Sequence, residues 1–148
     1  MKKFLLSSSI LHIDFAILLI RLTVGILMAF YGLHKLQDFQ QMAASDFWMK
    51  EVSLFGLTGK VPLALTIFAE LFCSIFLILG LFTRLSLIPL LFCMGFIVVV
   101  INKFKIVSNG ENGMELNAAF TYFVIYLGLF FTGAGKYSID HFLLAKKK

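Results

Sequence analysis

From Phe15 to Leu33 the chain runs through aliphatic and aromatic residues with a single charged side chain, Arg21. A run of that length can cross a bilayer. A guanidinium set into it costs about 2.5–3.5 kcal/mol on insertion scales, so Arg21 must face protein or water rather than lipid. Arg21, Gly25, Met28, Gly32 and Lys35 follow one another at alternating steps of four and three. That spacing puts them on one stripe of a helix. Two glycines on the stripe let a neighbouring backbone come close. The helix therefore has a buried polar face, and the rest of the chain must supply a partner for Arg21.

Composition agrees with a membrane setting. Of 148 residues, 60% are hydrophobic and 14% charged, against about 45–50% and about 25% in soluble domains. The length suits one small bundle. The net charge of +5 does not point to nucleic acid, because the lysines form no basic stripe with interleaved aromatics. Cys73 and Cys93 sit inside apolar runs without metal-ligand spacing, and no metal site is expected. They read as small buried hydrophobes. The opening Met1–Leu6 has the look of a signal peptide, but Asp14 interrupts the apolar run and no small-x-small site follows. It reads as an uncleaved entry to the first helix.

Four spans are predicted, over residues 14–34, 62–82, 86–101 and 114–132, giving an all-α, four-helix membrane bundle in one domain. Between the first two, Phe47, Trp48, Val52 and Phe55 stand among Asp46, Lys50 and Glu51, the pattern of an interfacial segment with aromatic anchors. This segment is expected to cover one mouth of the bundle. Pro62 falls in the first turn of the second span, where it loses no hydrogen bond. Glu70 is the sole charge in that span, sharing a face with Thr66 and Ser74. Thr83-Arg84-Leu85 reverses the chain in few residues, so the second and third spans are antiparallel neighbours with Cys73 and Cys93 at similar depth. A redox pair and two coincident thiols both remain open there. The stretch 102–113 reads as a polar loop with Asn-Gly turns. Glu115 is expected in the first turn of the fourth helix, where a carboxylate favours the helix dipole. Gly133–Asp140 reads as helix termination at the membrane surface rather than a phosphate loop, since no strand precedes it.

Four spans put both termini on one side. That side carries seven cations (Lys2, Lys3, Arg84, Lys136, Lys146, Lys147, Lys148) against Asp14 and Asp140, a net of +5. The other side balances five lysines against Asp38, Asp46, Glu51, Glu111 and Glu115. The asymmetry places both termini in the cytoplasm.

Taken in order, Arg21, Gly25, Gly32, Lys35-Leu36, Pro62, Ala69-Glu70, Gly80, Thr83-Arg84, Glu115 and Gly-Ala-Gly-Lys-Tyr-Ser-Ile-Asp at 133–140 resemble the DoxX family of small four-helix membrane proteins. The likeness runs from Asp14 to Leu143. Ala134 and Lys136 stand where relatives often carry proline and arginine, and His34 has no counterpart in the pattern. The resemblance implies a bacterial cytoplasmic-membrane protein linked to quinone chemistry, thiosulfate oxidation or an oxidative-stress complex, with quinone as a non-covalent ligand and a redox subunit as partner. Beyond the lipid bilayer, a homo-oligomer is also open.

The ligand-binding candidates are Arg21, Glu70, Lys35, Tyr31 and Glu115; no catalytic residue is assigned. Aligning helix midpoints puts Arg21 and Glu70 roughly 7–8 Å apart along the membrane normal at 1.5 Å per residue. Two readings follow: a buried ion pair that fixes packing, or a polar pocket in which Arg21 donates to a carbonyl and Glu70 exchanges a proton. Lys35, His34 and Tyr31 fall at the depth of Glu115, as a snorkelling cluster or as the pocket mouth. Tyr122 and Tyr126 share a face and read as packing. No haem pair, iron–sulfur spacing, nucleotide loop or hydrolase triad is present. Two classes of function stay open: a quinone- or redox-associated subunit, and a non-catalytic assembly or transport-like protein whose ion pair is architectural.

Overall fold

A computed structural model describes residues 13–52, 56–110 and 113–145. Met1–Leu6, Phe55, Glu111, Asn112 and Lys146–Lys148 lie outside them. Helix α1 spans Ile13–Gln37 and is followed by the short α2, Phe39–Ala43, and a π-helical turn at Phe47–Glu51. Helix α3 covers Lys60–Leu79 and α4 covers Thr83–Ile101. Both contain π-helical stretches, at Phe68–Cys73 in α3 and Ile97–Ile101 in α4. A hairpin of β1 (Val107–Gly110) and β2 (Gly113–Leu116) leads into α5 (Ala118–Thr132), and α6 is Ile139–Ala145. The chain is a multi-pass, all-α membrane bundle: α1, α3 and α4 are long and apolar enough to span, and the shorter apolar α5 packs along α4.

The glycine stripe of α1 sets the register against α3. A methyl group on Gly32 would lie 2.6 Å from the Leu71 amide nitrogen and 2.9 Å from the Glu70 carbonyl carbon. These distances leave no room for a β-carbon, so the two backbones touch there. Lower down, Gly25 faces the Ile78 side chain, and Gly80 faces the Arg21 guanidinium. The core behind this contact is built from Val24, Met28, Cys73, Leu77, Leu87, Leu90, Met94, Tyr126 and Leu129.

Three boundaries differ from expectation. The fourth helix begins at Ala118 rather than 114, because residues 113–116 pair with 107–110 in an antiparallel hairpin. The Asn117 carboxamide then caps the new start by accepting from the Ala119 amide at 2.9 Å. The stretch expected as a plain loop thus contributes Val107–Gly110 and Gly113 to a hairpin. Helix α4 begins at Thr83, three residues early, because a carboxylate from the tail caps it. The segment 39–52 does cover the bundle, yet Trp48 and Val52 are core rather than interfacial anchors. They pack with Ala43, Leu63 and Ile67 in a second apolar cluster, leaving Phe47 and Met49 exposed.

Candidate functional site

Arg21 and Glu70 do not meet. Gly80, just past the end of α3, and not Glu70, lies at the level of Arg21. Ten residues separate the two, about 15 Å of helix. Midpoint alignment misjudged the offset because glycine contacts, not helix centres, fix the register. Each charge has found another partner.

Glu70, 2% exposed, pairs with Lys35, whose side chain is 18% exposed. The Lys35 ammonium lies 2.5 Å from both carboxylate oxygens. Lys35 starts one turn beyond Gly32, and helical side chains lean toward the N-terminus. Its four-carbon stem therefore descends past Gly32 to the point where α1 and α3 touch. The sequence carried this signal: Lys35 ends the same stripe as Arg21 and Gly32. Glu70 sits in the π-helical stretch of α3, a local widening that occurs often at functional sites.

Arg21, 1% exposed, is held by the tail. Its Nη1 donates to the Ala134 carbonyl and its Nη2 to the Tyr137 carbonyl, the latter at 2.7 Å. The Asp140 carboxylate accepts from the amides of Phe82 (2.7 Å) and Thr83 (2.8 Å), capping α4. The Asp140 amide in turn donates to the Gly80 carbonyl at 2.9 Å. Asp14 accepts from the Lys136 amide at 3.0 Å, and its other oxygen lies 3.4 Å from the Lys136 ammonium. Gly80 has φ +66°, and a β-carbon there would stand 2.7 Å from Arg21 Nη1. Residues 133–140 thus form a strap over the lower end of the bundle. Backbone carbonyls supply the part of it that holds Arg21, and a sequence gives no sign of which carbonyl an arginine will find.

The remaining candidates do not join either group. Tyr31 is 56% exposed on the outer face of α1, and Glu115 is exposed on β2. Neither hydrogen-bonds to Lys35 or Glu70 among the described residues. His34 pairs instead with Asp38 at 3.4 Å on the surface.

Beside the Lys35–Glu70 pair lies a cavity of about 620 Å³. The covering segment contributes Met42, Phe47, Trp48 and Val52 to its wall; α3 adds Pro62, Leu65, Thr66, Phe68 and Ala69; α4 adds Pro89, Phe92, Cys93, Phe96, Ile97 and Ile101. All three π-helical stretches contribute. Lys35 is the charged residue in this lining, with Glu70 behind it. Cys93 faces the cavity while Cys73 is buried in the core, and both are free thiols. Such a space, apolar with one polar corner, fits the general form of a small-molecule site.

No curated protein and no solved structure gives a significant match to the chain. The DoxX family model matches residues 16–103, the stretch that carries Arg21, Lys35, Glu70 and Gly80. Covering more than half of the chain, that match makes it a member of the DoxX family of membrane proteins.

Proposed function

We propose that this protein binds a neutral, carbonyl-bearing amphipathic ligand of the quinone class in the cavity beside Lys35, and serves a redox or oxidative-stress system of the bacterial cytoplasmic membrane. The observation that carries the reading is the pairing of an apolar cavity with a buried, charge-compensated donor. Glu70 neutralises Lys35, so the corner offers no net charge to a carboxylate or phosphate. An ammonium has three donors, and contact with two carboxylate oxygens leaves the third free for a ligand carbonyl. Phe47, Phe68, Phe92 and Phe96 supply the aromatic and apolar surface that a ring and isoprenoid chain require. A volume of about 620 Å³ falls within the usual range for ligand pockets, about 300–1,000 Å³.

In this reading Lys35 orients the ligand and Glu70 holds the ammonium in place and exchanges a proton with it. Arg21 belongs to the architecture, which divides the two functions once weighed for a single pair. Both termini face the cytoplasm, in keeping with the lysines of the tail. A redox partner subunit supplies or removes electrons.

Organic extraction of the purified protein, followed by chromatography, tests the proposal. Quinone should co-purify near one per chain. It should be lost in Ala69→Leu, which narrows the cavity, and in the charge-neutral double variant Lys35→Met/Glu70→Gln. Extracts with no quinone from the unaltered protein, or equal quinone in all three, would reject it.

A further inference from the structure

The cavity is closed above and open at the side. Helix α4 packs along α3 over Phe68–Leu79, but toward their other ends the two helices find different neighbours. Lys60–Ile67 packs on α1, α2 and the π-helical turn, and Ile97–Ile101 packs on α5. The cavity occupies the wedge between these diverging ends. The covering segment roofs it: Trp48 and Val52 are buried, and Phe96 and Ile101 of α4 pack against their cluster. Hydrogen bonds hold the roof at both ends, from the Asp38 amide to the His34 carbonyl at 3.1 Å and from the Gly59 amide to the Trp48 carbonyl at 2.8 Å. On the flank, by contrast, Leu65, Phe68 and Phe92 line the cavity and are each about half exposed. They lie five and eight residues from Lys60 and nine from Ile101, about 8, 12 and 14 Å into their spans. In a span that crosses about 30 Å of hydrocarbon, that depth is acyl chain rather than headgroup.

We propose that the cavity has a side portal between α3 and α4, bordered by Leu65, Phe68 and Phe92, through which an acyl chain of a bilayer phospholipid enters and fills it. The wall favours that occupant. Apart from Lys35, Thr66 and Cys93, the side chains lining the space are aliphatic or aromatic. Water needs about 2–4 polar partners and finds few there. Left unfilled, an apolar space forfeits dispersion contacts along its whole wall. A helix of a second copy, about 10–12 Å across with its side chains, would cap the mouth and leave the space behind it empty. A single hydrocarbon chain threads between the two helices and reaches the roof. The inference concerns the opening and stands without the quinone reading: an empty quinone extract leaves it in place.

Trp48 is the sole tryptophan of the chain and lines the cavity, so its fluorescence reports what enters. The unaltered protein, washed of bound ligand in detergent, is reconstituted in phosphatidylcholine vesicles brominated either near the acyl carbonyls or near the chain ends. Bromine quenches tryptophan on close approach. Trp48 belongs to the roof, beside the Gly59 end of α3, so lipid that stays outside quenches it most through shallow bromine. A chain that enters at the level of Phe68 carries its far carbons to the roof. Chain-end bromine is therefore expected to quench at least as strongly as shallow bromine, while iodide in the water leaves the emission unchanged. Quenching that fades with bromine depth overturns the proposal. Its absence at both depths does so too, as when a second copy seals the mouth. Strong quenching by iodide also overturns it, since the route then runs through the roof. Thr66→Phe sets a ring in the gap and should abolish the chain-end quenching; unchanged quenching in the folded variant rejects the portal. If Thr66→Phe does not fold, the depth series in the unaltered protein decides alone.

Discussion

Lys35 and Arg21 both sit on the stripe of α1, yet they serve different ends. Lys35→Met leaves the Glu70 carboxylate buried and unpaired, so it should cost roughly 3–5 kcal/mol, while Lys35→Met/Glu70→Gln should cost less than the sum of its parts. A double-mutant cycle read by melting in detergent checks this coupling. The same cycle between Arg21→Met and Glu70→Gln should be additive, because about 15 Å of helix separates the two levels. The charges themselves were plain in the sequence, as lone ionisable residues in apolar spans. Their partners were not, for two physical reasons. The partners of Arg21 are the carbonyls of Ala134 and Tyr137, which every residue possesses. Glu70 and Lys35 find each other through a flexible stem whose direction matters as much as its position. Tyr31 and Glu115 had matching depth along the axis but point away, and depth alone cannot choose a face.

Helix contacts in this bundle are controlled by glycine. Gly32→Ala would push a methyl into the Leu71 amide, backbone that cannot step aside. The expected result is separation of α1 from α3 at the level of the Lys35–Glu70 pair, with loss of both stability and ligand. Gly80→Ala acts differently. Its left-handed backbone costs an L-residue about 1–2 kcal/mol, and the methyl meets the Arg21 guanidinium as well. Asp140→Ala removes the two amide bonds that cap α4, worth about 0.5–2 kcal/mol by analogy with helix caps. Melting of the two single variants and the double checks the magnitudes. Because the Asp140 amide donates to the Gly80 carbonyl, both substitutions disturb the same junction between the tail and the α3–α4 turn, and their effects should not add. Helix existence was legible from hydropathy. The start of α5 was not, because Met114-Glu115-Leu116 suits a first helical turn and only pairing across to Val107–Asn109 draws it into a strand.

The bundle as a whole was readable as four apolar helices, and the orientation proposed for it rests on lysines near the termini. Cysteines placed at Lys103 or Lys105 should react with an impermeant reagent from outside the cell, while one at His141 should be spared, in a background where Cys73 and Cys93 are alanine. Reversal of that pattern would overturn the orientation. The strap bears on how the chain is made. Arg21 is synthesised with the first helix, but the carbonyls that receive it belong to Ala134 and Tyr137, 113 and 116 residues further on. Until those are made the guanidinium lacks the partners it has in the finished fold. A chain cut after Thr132 never acquires them. It should be made at a normal rate and then cleared by membrane proteases, a loss that pulse-chase labelling would show as a shortened half-life with unchanged synthesis.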